Sequence, residues 1–391
     1  MNRPVPITGL GCISAAGPGL EAGLASMFRG CRDPRPPQRF CTGHPVPYPV
    51  FELPEFLGPP SLLRTGALLL HAAREALADA GLDRDFLDTL RAGACIGTTV
   101  GSAMNDEGFC RALRAGGPPS LEPMERILRS NPAALLARQW GLDGPCQTVV
   151  NACSSGTDAV GLGASWIEAG LCDLVLAGGA DELSRITCNG FISMRIAGPG
   201  PCRPFDRERD GLNLGEGAAV LVLEAPELRR RRRARARAFV LGYGSACDAY
   251  HPTAPSPDGA GLGRAISEAM AAGGIAPGQV AFVNAHGTAT PDNDRVESGV
   301  LAAMLPGVPF LSTKGYTGHT LGAAGAIEAA FTVACLERGR VPACAGFQEA
   351  DPGLPAPVAE NSAVRGAVAL SQSLAFGGNN AVLALGLGER P

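Results

Sequence analysis

An apolar, β-rich run from Cys146 to Val150 stops at Asn151, and a segment of small residues, Gly156 to Ala169, begins just after it. Cys153 therefore stands at a strand-to-helix turn. The helical segment is rich in Gly, Ala and Val, so it suits burial on most of its faces. Backbone N–H groups at a helix N-terminus carry partial positive charge, so a thiol there is expected to lose its proton more readily. The same turn equally fits a buried structural cysteine. Other stretches have to decide.

The rest of the chain alternates strands and helices. Ile7 to Ile13 reads as a first strand, and Pro34 to Pro60 as loop. Leu62 to Ala80 has helical spacing and Gly81 stops it. Ala92 to Val100, Leu174 to Ala180 and Ala218 to Glu224 read as strands, and Leu121 to Trp140 as helical pieces broken at Pro123 and Pro132. Glu227 to Arg237 holds seven arginines. It reads as a solvated helix end running into a strand, Ala238 to Gly242, or as a docking patch for an acidic partner. The same grammar follows in the second half: helix Gly261 to Ala272, strand Val280 to Asn284, long helix Gly322 to Arg338, closing strands Val368 to Leu374 and Ala381 to Leu387. Such alternation implies an α/β layered architecture, and two halves of like grammar suggest a duplicated βα unit, although residue identity shows no repeat.

Composition removes several classes. With 46% hydrophobic and 18% charged residues the chain reads as globular rather than disordered. A net charge of −4 gives no global pull toward nucleic acid or anionic membrane. The 13 cysteines are odd in number and include no C-x-x-C pair, which speaks against a zinc ribbon and a fully paired disulfide framework and fits reduced thiols in a cytoplasmic protein. No secretory signal is read after Met1, and no apolar run is long enough to span a bilayer.

Three further stretches carry chemistry. In Asn284-Ala285-His286-Gly287-Thr288-Ala289-Thr290 a strand ends at a histidine followed by hydroxyls, where α/β sheets place ligands. Ser312-Thr313-Lys314-Gly315-Tyr316-Thr317-Gly318-His319 holds a second histidine and a lysine ahead of a helix carrying Glu328, without the residue order of a phosphate-binding P-loop. Leu374-Ala375-Phe376-Gly377-Gly378 can aim backbone N–H groups into a cavity as an oxyanion hole, or form a simple hairpin turn. One cysteine, two histidines and a glycine-rich loop are the parts for acyl transfer through a thioester. Two neutral imidazoles donating to one carbonyl oxygen suit an enolate better than peptide hydrolysis.

These stretches, in their order, resemble a known family. Ala152-Cys153-Ser154-Ser155-Gly156, Arg203-Pro204-Phe205-Asp206, Gly215-Glu216-Gly217, Asn284-Ala285-His286-Gly287-Thr288, Thr313-Lys314 with Thr317-Gly318-His319 and Gly322-Ala323-Ala324-Gly325, and Phe376-Gly377-Gly378 resemble the elongating β-ketoacyl-acyl-carrier-protein synthases of the thiolase superfamily. The resemblance covers nearly the whole chain and is weakest before about Ala92. It implies a thiolase-like α/β fold, duplicated halves forming an α-β-α-β-α core, with 1–237 bearing the nucleophile and 238–391 both histidines.

The resemblance also implies roles. Cys153 is acylated from an acyl carrier protein, and His286 and His319 bind the malonyl thioester carbonyl and assist decarboxylation. Lys314 orders His319 through a network that Glu328 joins. The N–H groups of Cys153 and Phe376, with Gly377 in the same loop, make the oxyanion hole, and Phe376 gates Cys153. Thr288 and Thr290 contact the phosphopantetheine arm, Val100 and Phe191 line the acyl pocket, and Arg195 meets the carrier protein. Ala375 departs from the glycine many relatives have before the gating Phe. The implied activity is a decarboxylating Claisen condensation, in polyketide or aryl polyene-type assembly or in fatty acid elongation. No metal or organic cofactor is expected. The expected partners are an acyl carrier protein and a second subunit, either another copy or a ketosynthase-like chain-length subunit. A non-catalytic partner subunit would lack the nucleophile, and a thiolase would use a second cysteine near the C-terminal loop, whereas Cys344 is the last here.

Overall fold

The computed structural model describes residues 3–388 except 54, 57, 60 and 103–105; the loop reading at 54, 57 and 60 and the reading of Met1 lie outside the described residues. The strands are β1 (Val5–Ser14), β2 (Ala92–Gly97), β3 (Cys146–Val149), β4 (Leu174–Asp181), β5 (Gly217–Glu224), β6 (Ala238–Cys247), β7 (Val280–Asn284), β8 (Phe310–Leu311), β9 (Arg340–Val341), β10 (Ser362–Ala363), β11 (Val368–Ala375) and β12 (Asn379–Gly386). The helices are α1 (Leu20–Phe28), α2 (Arg64–Ala80), α3 (Arg84–Leu87), α4 (Glu107–Arg114), α5 (Glu122–Arg129), α6 (Pro132–Trp140), α7 (Ser155–Glu168), α8 (Arg185–Ser193), α9 (Pro226–Arg232), α10 (Ala260–Gly273), α11 (Pro291–Met304), α12 (Lys314–Thr317) and α13 (Ala324–Arg338).

Ten strands form one sheet in the order β3-β2-β4-β5-β1-β6-β12-β11-β7-β8. Read outward from its middle, the sheet runs through the same topology twice. β1, β5, β4, β2, β3 on one side correspond to β6, β12, β11, β7, β8 on the other. The pairing senses correspond as well. The outer three strands of each side are mutually parallel, and the inner joints are antiparallel. The sides meet where Val5, Pro6 and Ile7 pair with Val240, Phe239 and Ala238. The duplication that residue identity hides is thus plain in the strand order.

Helices α7 and α13 pack on each other and against strands of both sides, which makes them the central layer. Helix α2 covers β1, β4 and β5, and α10 covers β6 and β12, completing an α-β-α-β-α stack. The small residues of α7 permit this burial: Gly97, facing it from β2, has no room for a side chain, since a Cβ there would meet the Ser155 carbonyl carbon at 2.3 Å. A Cβ on Gly322, ahead of α13, would meet backbone of Thr98 and Thr99 at 2.5 Å. The two glycines set how closely the nucleophile helix, β2 and the start of α13 approach.

Several local readings change. The strand expected to reach Val100 ends at Gly97, because the Asp181 carboxylate captures the N–H groups of Thr99, Val100 and Gly101 and turns the chain. Pro123 does not break a helix. It sits in the first turn of α5, where its missing N–H costs nothing, and Pro132 likewise opens α6 behind the Asn131 cap. The arginine run forms α9 and a turn into β6, and Arg230 pairs with Glu227 in solvent. Other members are structural, and Arg229 covers the Phe239 ring. Arg232 pairs with Glu224 and covers the Phe86 ring, and Arg237 joins Asp79 and Glu337.

Candidate active site

Cys153 follows Ala152, a non-glycine residue in the left-handed region at φ 48°, and precedes Ser154, the N-cap of α7. The strained turn is clamped from several sides. Ser155 Oγ accepts from Asn151 N–H at 2.8 Å, Ser155 and Thr99 hydroxyls donate to the Ala152 carbonyl at 2.6 and 3.0 Å, and Asp158 accepts from Asn151 and Ser154 side chains. Tyr243 on β6 donates to the other Asp158 oxygen at 2.7 Å, tying the turn to the second half of the sheet.

The thiol is 4% exposed. Burial pushes it up to about 11, against the pull of the Lys314 ammonium and of a hydrogen bond from the Phe376 backbone N–H. Desolvation of the thiolate thus opposes the ready ionisation expected at a helix start. That Phe376 N–H aims at the sulfur is what an oxyanion donor at this position requires.

His286 follows the end of β7 and His319 follows α12, and their rings stand edge to face with centroids 5.2 Å apart. Both are buried and held well below the ordinary histidine range, first by desolvation and then by the Lys314 charge. Both are therefore neutral at neutral pH. His319 Nδ1 accepts from Leu321 N–H at 3.2 Å, and His286 Nδ1 faces the Lys314 ammonium, a donor only, at 3.1 Å. Each ring therefore carries its proton on Nε2, and each Nε2–H is a donor.

Lys314 also donates to the His286 carbonyl at 2.6 Å and pairs with Glu328; lysine and glutamate side chains are each 2% exposed. The expectation that Lys314 orders His319 is corrected: its contacts are with His286, and the N–H of Leu321 orients His319. Burial lifts Glu328 to about 7, with Lys314 pulling it down. Glu297 on α11 is also lifted by burial to about 7, and accepts the N–H groups of His286 and Gly287 at 2.6 and 2.7 Å. No reading of the sequence found Glu297. The only signal was an acid one helix beyond the histidine motif.

One cavity of about 300 Å³ brings together Cys153, Phe191, Arg195, His286, Thr288, Thr290, His319 and Phe376. The Phe191 and Phe376 rings stack across it at 5.6 Å, and the Thr288 and Thr290 hydroxyls bond each other at 2.8 Å. Arg195 is exposed at its mouth, directly after α8. Val100 is half-buried in the adjoining apolar cluster of Leu183, Cys188, Phe191, Leu214 and Leu321, which Phe376 also touches. Gly377 leaves the oxyanion set, because its N–H donates to the Pro252 carbonyl at 2.8 Å. Ala375 is extended at φ −123°, a conformation open to any residue, so the missing glycine leaves no strain.

A layered, twice-repeated sheet with a cysteine at one central helix and histidines from the other half is the thiolase-like architecture. Residues 62–228 match the beta-ketoacyl synthase N-terminal domain and residues 237–348 the C-terminal domain. The chain is 32% identical over 406 residues to 3-oxoacyl-[acyl-carrier-protein] synthase 2 of Synechocystis, covering 98% of each chain. Among solved structures it is similar to the ishigamide ketosynthase/chain length factor, with TM-score 0.93, 35% identity and 99% of both chains covered. It is also similar to a type II PKS ketosynthase bound to the hexaketide and in complex with its acyl-carrier protein, with TM-score 0.90, 27% identity and 99% of both chains covered. The chain belongs to the β-ketoacyl synthase family, whose members are condensing acyltransferases.

Proposed function

We propose that this chain condenses acyl and malonyl groups carried by an acyl carrier protein, with Cys153 as nucleophile and His286 and His319 as donors. The convergence of one thiol, two Nε2–H groups and the Phe376 N–H on a single cavity carries this reading. First, the Cys153 sulfur attacks an acyl thioester. The bond to the phosphopantetheine sulfur breaks, and that sulfur leaves with the proton Cys153 gives up. Neither imidazole is placed to act as the base, since each Nδ1 is already occupied. Next, a malonyl thioester loses CO2, and the electron pair of the broken C–C bond passes into an enolate whose oxygen accepts from both Nε2–H groups. The enolate carbon attacks the Cys153 thioester. The resulting oxyanion accepts from the Cys153 and Phe376 N–H groups, then collapses and expels the thiolate, which takes up a proton. The product is longer by one two-carbon unit.

Lys314 and Glu328 hold His286; Thr288 and Thr290 guide the phosphopantetheine arm; Phe191 and Val100 bound the acyl tail; Arg195 meets the carrier protein. Strand order supports reading 1–237 and 238–391 as two copies of one half. The solved ketosynthase/chain length factor and the type II PKS ketosynthase support polyketide or polyene-type assembly with a ketosynthase-like partner subunit, while the 3-oxoacyl-[acyl-carrier-protein] synthase 2 relative supports fatty acid elongation as the alternative. Retention of Cys153 and both histidines opposes a purely chain-length-setting role. No helix among the described residues is long and apolar enough to cross a membrane.

The test is to incubate the protein with a panel of acyl-carrier proteins, alone and with candidate partner subunits, and read the mass added at Cys153. An adduct on Cys153 that is absent from Cys153→Ala is expected. Acylation that persists on another cysteine overturns the assignment.

A further inference from the structure

Asp181 ends β4, is fully buried and does not line the cavity that holds Cys153 and the histidines. Its carboxylate nonetheless gathers donors from two separate loops. Oδ1 accepts from Thr98 Oγ1 at 2.8 Å, Val100 N at 3.1 Å and Gly101 N at 2.9 Å; Oδ2 accepts from Thr99 N and Gly322 N, both at 2.7 Å. Five donors exceed the roughly four lone-pair sites of a carboxylate, so the group is saturated.

What these donors belong to gives the group its meaning. Thr99, held by its N–H, donates its hydroxyl to the carbonyl of Ala152, the left-handed residue beside Cys153. Gly322 follows Leu321, itself left-handed at φ 54°, whose N–H orients His319. Val100 packs on the apolar cluster beside the cavity. Non-glycine residues at positive φ persist only where the surroundings hold them. One carboxylate sits behind both of them and behind the pocket wall.

Resting on the reading of Cys153 and His319 given above, we infer that Asp181 is a positioning residue that fixes the Cys153 turn, the His319 turn and the Val100 wall relative to one another. Burial lifts its carboxyl to about 6, so it remains an acceptor at neutral pH.

Asp181→Asn keeps the shape and puts an NH2 against two or more N–H donors. Acylation of Cys153 and CO2 release from malonyl-carrier protein, each expressed per Cys153 able to take an adduct, should fall together by on the order of 10- to 100-fold. The acyl chain-length profile should broaden. His319→Ala, in contrast, should lose mainly CO2 release. Asp181→Glu, which keeps a carboxylate, should recover part of both rates. Thr98→Val removes one donor at constant size and should give a smaller loss of the same pattern, which keeps the test alive if Asp181→Asn does not fold. A merely structural role would lower melting temperature and folded yield while leaving per-site rates and chain-length profile unchanged. That result, in either folded variant, overturns the inference. Wild-type protein that fails to acylate Cys153 at all would instead overturn the proposed function.

Discussion

Lys314 presents its ammonium to His286, 3.1 Å from Nδ1 and 2.6 Å from the carbonyl oxygen, while His319 takes its orientation from a backbone N–H. The two imidazoles thus do the same job under different supports. Lys314→Met should remove the charge that, after desolvation, depresses both His286 and His319, so both should gain a proton at higher pH than in the wild type. The titration of the imidazoles should move upward in pH. NMR titration of the imidazole C–H signals checks this, and unmoved titrations would contradict the role of the Lys314 charge.

His286→Ala and His319→Ala should each cost CO2 release about 10²–10³, the usual loss for a donor to a developing oxyanion. Acyl transfer to Cys153 should suffer less, because neither ring offers a free lone pair to the thiol. Separate assays of adduct mass and CO2 decide. Loss of acylation alone would make one histidine a base.

The thiol, lifted to about 11, should be alkylated by iodoacetamide at a rate that climbs about tenfold per pH unit from 7 to 9 without levelling. Peptide-level mass spectrometry separates Cys153 from exposed Cys31, Cys41, Cys110, Cys146 and Cys247. Lys314→Met should slow the reaction at every pH, since the ammonium favours the thiolate. A plateau near neutrality would mean that the helix start wins over burial.

Val100→Phe should fill tail space beside Phe191 and leave Cys153 and the histidines untouched. Overpacking costs about 1–3 kcal/mol, so thermal melting comes first. The folded variant should accept short acyl chains and refuse longer ones. An unchanged profile would move the limit to Phe191 or to a partner subunit.

Much of this site was legible because its chemistry sits in short motifs at the ends of strands and of a short helix. Cys153, His286, His319 and Phe376 were each found that way, and one cavity holds all four. What escaped were relationships between stretches distant in sequence. The resemblance implied that Lys314 orders His319, yet the fold turns Lys314 toward His286, just after β7. Gly377 looked free until Pro252, from another loop, took its N–H. Asp181 and Glu297 are single acids without a motif, and only tertiary structure collects their donors. The duplication was invisible in residue identity because each half has diverged, whereas pairing order is set by topology and survives substitution.

The missing side chains at Gly97 and Gly322 have a further consequence. They act as a fixed gauge between the Cys153 turn and the turn that carries His319, set by backbone rather than by any group that reacts. A lineage of such enzymes is then free to rewrite the entrance and the tail pocket, trading one acyl chain for another, while inheriting the spacing of the chemistry unchanged. Substrate range and reaction are separately heritable because the gauge has no side chain to mutate by degrees.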